Sequence, residues 1–156
     1  MTAPSPTHSS PPNSTLYDQD YLGWLTETVR QLKQGDLAAV DVANLVEELE
    51  DMGRSERRAV ESNLEVILMH LLKYRYQSEF CSNSWRFTLL EHRDRLAKSF
   101  RDSPSLKPYF ANIFADCYAQ ARKKAAVETG IPLTTFPEDS PFTPDMTLDT
   151  DYLPDD

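Results

Sequence analysis

The sequence predicts an all-α protein: about five helices in a compact, mostly antiparallel bundle, followed by an extended C-terminal strap, with no sheet. Three observations predict it. No proline falls between Asn13 and Ser103, so a long stretch is free to be helical. Apolar residues in that stretch recur every three or four positions, the spacing that places them on one helix face. Sustained period-two alternation of β-branched residues is missing throughout, so no strand is predicted.

The helices follow from those patterns in chain order. The first is predicted from about Asp18 to Gln34, with Tyr21, Leu25, Val29 and Leu32 on one stripe, Asp18 as its cap and Gly35 at its C-terminal turn. The second runs from about Asp41 to Met52, with Val42, Leu45, Val46 and Leu49 apolar and Gly53 ending it. The third runs from about Ser55 to Tyr76. Its wide stripe of Val60, Leu64, Ile67, Leu68, Leu71 and Leu72 marks it as the central helix. The fourth spans about Ser84 to Asp102, burying Trp85, Leu89, Leu96 and Phe100. Ser103-Pro104 reads as a cap and first-turn proline for the fifth, which continues to about Thr129, where Gly130 and Pro132 stop it. Short links favour antiparallel neighbours.

Nine of the eleven prolines lie at 1–12 or 132–154, which sets the expected domain limits. Residues 1–15, rich in Pro, Ser and Thr, are expected to be a disordered tail. Residues 16–130 form the helical bundle domain. Residues 131–156 form an acidic, Pro-rich strap without helical period, partly docked on the bundle through anchors such as Phe136, Phe142, Met146, Leu148, Tyr152 and Leu153.

The net charge of −9 is unevenly spread. Seven of the 25 acids lie beyond Phe136, where there is no Lys or Arg, leaving 16 bases against 18 acids in the rest. A near-neutral body gives no electrostatic footprint for general nucleic-acid binding. Cys81 and Cys117 form no CxxC pair and are read as small core side chains. The N-terminus lacks the basic and apolar regions of a secretory signal, and no apolar run approaches the ~20 residues of a membrane span. A cytoplasmic protein without membrane association is therefore expected.

Several runs resemble a known family when taken together. The most specific is Asn44-Leu-Val-Glu-Glu-Leu-Glu-Asp-Met-Gly-Arg-Ser-Glu56. Others are Tyr17-x-x-Asp20-x-x-x-Trp24, His70-Leu-Leu-Lys-Tyr-Arg-Tyr-Gln77, Ser84-Trp85, Ser103-Pro-Ser-Leu106, Tyr118-x-x-x-Arg122 and Glu128-Thr129. The tail adds Phe136-Pro137, Pro141-Phe142-Thr143, Leu148-Asp149 and Leu153-Pro154. Over roughly residues 15–155 the chain resembles the bacterial domain-of-unknown-function family number 29. The resemblance implies an all-helical fold and an uncharacterised biochemical role, with no catalytic residues to carry over.

Four residues are candidates for a polar site: Glu47, Glu48, His70 and Arg93. Glu47 and Asp51, four apart, share a helix face and could hold a hard cation or act as acid and base, or be a solvated face beside Arg54, Arg57 and Arg58. His70 lies at the edge of the apolar stripe of the third helix, as a base, a ligand or a packed histidine with a hydrogen-bond partner. Arg93 falls on the stripe Leu89, Arg93, Leu96, Phe100, and is expected to pair with Glu47 or Glu48. A di-iron bundle needs Glu-x-x-His, but Ile67 and Leu89 precede His70 and His92 by three. No metal or other cofactor is expected, since nucleotide-binding, hydrolase and zinc motifs are all missing.

Nucleic-acid binding is disfavoured. Arg86, Arg93, Arg95, Lys98 and Arg101 are interleaved with Glu91, Asp94 and Asp102, the pattern of a solvated salt-bridged face. Arg122-Lys123-Lys124 and Tyr74-Arg75-Tyr76 are the remaining basic and aromatic groups. The expected function is a protein-interaction or adaptor module with a protein partner, self-association included. The competing readings are an enzyme or metal-binding protein around the four polar residues and a nucleic-acid-binding regulator.

Overall fold

A computed structural model of the chain describes residues 14–154. Residues 1–13 of the expected 1–15 tail and the last two acids, Asp155 and Asp156, lie outside the described residues. Within them the protein is all-α, with no strand. The helices are α1 (Ser14–Gln19), α2 (Tyr21–Gln34), α3 (Val42–Tyr76), α4 (Asn83–Asp102), α5 (Leu106–Thr129) and α6 (Pro144–Leu148). The chain divides into two compact units, 1–53 and 54–156.

Three expectations about the first 76 residues are corrected. The first predicted helix is two. Asp18 lies inside α1, and Asp20 is the cap of α2, its Oδ1 accepting the Gly23 N–H at 2.9 Å. The second and third predicted helices are one: α3 runs unbroken through Gly53 for 35 residues, about 52 Å at 1.5 Å per residue. Gly53 does not take the left-handed conformation that ends a helix. A glycine costs helix stability without terminating it when the residues beyond it are strong helix formers, as Arg54, Glu56, Arg57, Arg58 and Ala59 are. Gly35, by contrast, has φ 71°, and the Asp36 N–H bonds Gln31 O at 3.0 Å, closing α2 as a left-handed C-terminal turn should.

In the first unit the chain reverses between Gln34 and Val42. Asp41, buried at the turn, accepts from the Asn44 main chain and side chain at 3.3 and 2.6 Å and so anchors the first turn of α3. Trp24 is fully buried and meets Tyr17 edge-on at 4.9 Å and Tyr21 in a stack at 6.0 Å. The Tyr17 and Tyr21 hydroxyls each donate at 2.6 Å to one oxygen of Glu48, so α1 and α2 are held to the first half of α3. A chain that did not reverse would separate Tyr21 from Glu48 by about 40 Å.

The second unit contains the main core. Val60, Leu64, Ile67, Leu68, Leu71 and Leu72 of α3 are fully buried against Leu89 and Leu96 of α4 and Phe110, Tyr118, Ala121 and Ala125 of α5. The fifth predicted helix starts later than expected. Ser103 and Pro104 sit in a turn, and α5 begins at Leu106 with Ser105 before it, making no side-chain cap bond. Past Gly130 (φ 72°) the chain runs in extended and single-turn pieces that bury Phe136 and Phe142. The expectation of no helix there is corrected by α6, whose start is capped by Thr143 Oγ1 accepting from the Met146 N–H at 3.1 Å, with Pro144 in the first turn. Cys117 is buried, but Cys81 is exposed, in the link before α4.

Candidate functional site

The four residues singled out in the sequence have distinct surroundings. Glu48, in the first unit, is engaged by two tyrosine hydroxyls, and its carboxylate pushes the Tyr17 phenol up to about 12. Glu47, beside it, is exposed. In the second unit, the His70 ring nitrogen Nδ1 lies 2.9 Å from Val66 O. A carbonyl only accepts, so Nδ1 carries the proton and neutral His70 keeps a lone pair on Nε2. Burial lowers its pKa.

Arg93, on the α4 stripe, is buried rather than reaching outward, and its partners are main-chain carbonyls rather than the carboxylate expected. Nε donates to Thr147 O at 2.9 Å, Nη1 to Tyr152 O at 3.0 Å and Nη2 to Met146 O at 3.4 Å. A tail without regular hydrogen-bonded structure leaves carbonyls unpaired, and a guanidinium with five donors can satisfy several at once. Arg122 does the same one helix away, donating to Phe136 O at 3.0 Å and Leu133 O at 3.1 Å, while the Tyr118 hydroxyl donates to Pro137 O at 2.7 Å. Both arginines are therefore fasteners for residues 131–154.

Sequence reading missed Lys73. Only 7% of its side chain is exposed; its Nζ lies 4.3 Å from the centroid of the Trp85 ring and 2.5 Å from Glu128 Oε1. The ring face and the carboxylate together stabilise a cation taken out of water. The available signal was position: Lys73 stands between Leu72 and Tyr74 in an otherwise apolar run. His70 and Tyr74 meet Trp85 edge-on at 6.4 and 5.6 Å. His92 bonds Asn63 Oδ1 at 2.6 Å. Among the described residues no three His, Cys, Asp or Glu side chains are grouped to hold a metal ion. The α4 charges form local pairs, Arg95 with Glu91 at 2.6 Å and Arg101 beside Asp102 at 3.8 Å.

The first unit also exposes apolar side chains. On α2 the buried stripe is Trp24, Thr28 and Gln31; Leu25, Leu32, Val29 and Leu22 continue it round one side of the helix. At the start of α3 Asp41, just before the helix, is buried and Glu48 half-buried, and Leu45, Leu49, Val42 and Val46 continue round in the same rotational sense. In an antiparallel pair, sectors that advance in the same sense lie on the same side. Both helices thus carry exposed apolar side chains on that side, Leu22 72%, Val29 48% and Leu32 43% on α2 and Val42 58%, Val46 47% and Leu49 58% on α3. Residues 1–53 contain nine acids and two bases, whereas residues 54–136 contain 14 bases and nine acids. The near-neutral body seen in the sequence is two segments of opposite charge.

A family model described as "Domain of unknown function DUF29" matches residues 16–153. No curated protein and no solved structure matches the chain. No helix among the described residues is long and apolar enough to cross a membrane.

Proposed function

We propose that this chain, which belongs to the DUF29 family, is a protein-interaction module that docks a basic amphipathic helix of a partner on the α2–α3 face of its first unit. The observation that carries the proposal is the exposed stripe of Val42, Val46 and Leu49 on α3, together with exposed Leu22, Val29 and Leu32 on α2. Exposed apolar side chains clustered on neighbouring helices mark a contact site. Two helices presenting a common apolar face are completed by a third, which is the helix-in-groove mode of recognition. The charge balance of residues 1–53, nine acids to two bases, selects a partner helix that carries Lys or Arg beside its apolar stripe.

A synthetic amphipathic helix with leucine on one face and lysine on the other tests this directly by calorimetry. Binding with a Kd of about micromolar is expected, weakened tenfold or more in the Val46→Glu/Leu49→Glu variant. Equal affinity for both proteins would mean that the peptide is held by charge alone and that the apolar face is not the dock.

A further inference from the structure

The outward face of α4, in the second unit, carries a symmetric pattern. Asn83, Phe87, Leu90 and Asp94 follow one another at helical spacing and so share one face. All four are exposed, Phe87 to 65% and Leu90 to 48%. The side chains that α4 sends into the core, Leu89, Arg93, Leu96 and Phe100, lie on its other side.

From either end the row runs polar, apolar, apolar, polar. A second copy of α4 laid antiparallel on the first therefore sets each member against a complementary one. Phe87 meets the second copy's Leu90, and Leu90 meets its Phe87. The same register brings the Asn83 carboxamide, which has two donors, to the Asp94 carboxylate, which only accepts, at both ends of the row. Arg86 stands three residues beyond Asn83, about 4.5 Å along the axis, and a long side chain there reaches the same carboxylate. Arg86 and Asp94 form no ion pair within the chain among the described residues.

A groove supplies a separate observation. Beside Leu90 a space of about 330 Å³ lies between α4 and the strap, with Leu89, Leu90 and Leu153 as its apolar members and Arg93, Thr150 and Asp151 among its polar ones. The register found from the row delivers the second copy's Phe87 ring to Leu90, and so to the mouth of this groove. An aromatic ring buried there contributes most of the area that such a contact needs.

We propose that this face of α4 binds the same face of a second copy, antiparallel about the midpoint between Thr88 and Leu89. The contact is isologous, with each Phe87 seated in the groove beside the other copy's Leu90. Charge selects this occupant: the row has donors at its N-terminal end and a carboxylate at its C-terminal end, so a partner helix of one sign would satisfy one end and oppose the other. The contact is separate from the apolar face of the first unit, and neither proposal depends on the other.

The test is sedimentation of the full chain across a concentration series up to about 1 mM. A monomer–dimer equilibrium with a Kd of about 10–100 μM is expected, as suits a small interface. Phe87→Glu should weaken it about tenfold or more with circular dichroism unchanged, since the side chain is exposed, and Val46→Glu/Leu49→Glu should leave it as it is. Register is read by cross-linking in a Cys81→Ser background. Asn83→Cys and Asp94→Cys chains, mixed and mildly oxidised, should join to each other. Neither should join to itself, because like positions are then about 16 Å apart. A monomer throughout the series, a dimer that Phe87→Glu leaves intact, or a dimer lost in Val46→Glu/Leu49→Glu would overturn the contact. Cross-linking of Asn83→Cys chains to themselves in place of the mixed pair would overturn the antiparallel register.

Discussion

At the residue scale, buried polar groups decide how the second unit responds to its surroundings. His70 and His92 are both lowered from the ordinary 6.5, chiefly by burial, so folding favours their neutral forms. The unfolded chain then binds more protons than the folded one below about pH 6.5. Their contribution to stability is present above that pH and is lost as pH falls through the folded values. Urea midpoints measured at about pH 7.5 and 5.5 should show this loss, and the His70→Gln/His92→Gln variant should show less of it. Arg93 supports a different prediction. Arg93→Met leaves the carbonyls of Met146, Thr147 and Tyr152 without their donor, and should destabilise by about 3 kcal/mol or more, with early proteolysis beyond Phe142. Unchanged stability and protease resistance in that variant would show the three bonds to be dispensable. The cysteines differ in the same way: burial pushes the Cys117 thiol up to about 12, so a thiol reagent at neutral pH should label exposed Cys81 and reach Cys117 only on unfolding.

At the element scale, the apolar stripes were legible and the ends of helices were less so. Leu64, Ile67, Leu68, Leu71 and Leu72 read as an inward stripe because helical spacing is a property of the side chains alone, and each of them is fully buried. Gly53 was misleading because glycine stops a helix only where the backbone turns left-handed, as at Gly35 and Gly130, and the residue type cannot show which conformation it takes. Residues 49–59 are exposed on every side, so α3 crosses from one unit to the next with no burial to hold it there. Intrinsic helix preference then matters most in this segment. Open space surrounds the position a Gly53 side chain would take, and Gly53→Ala should stabilise the protein by about 1 kcal/mol, seen as a rise in thermal midpoint. A fall would mean that the helix bends at Gly53 in solution. Arg93 shows where sequence reasoning reaches its limit. Its burial followed from its stripe, but its partners did not, because main-chain carbonyls carry no signature in a sequence.

At the scale of the whole molecule, charge and apolar surface are partitioned along the chain. Residues 1–53 are acidic, 54–136 basic and the remainder acidic, and the exposed apolar face falls in the first of these segments. Net charge alone concealed this, since the first two segments nearly cancel. The apolar stripe was hidden for a related reason: Val42, Val46 and Leu49 have the spacing of core residues, and only the structure shows them exposed among the described residues. A partner drawn by charge and held by apolar contact should associate more slowly as salt rises, while its dissociation changes little.

The measurement that tests the docking surface most directly is a comparison of native complexes recovered from the source lysate, after nuclease treatment, by the wild-type chain and by the Val46→Glu/Leu49→Glu variant. The account predicts a stoichiometric protein partner with a basic amphipathic helix on the wild type alone, with both proteins folded by circular dichroism. The same partner recovered equally by both proteins, or by neither, would contradict it.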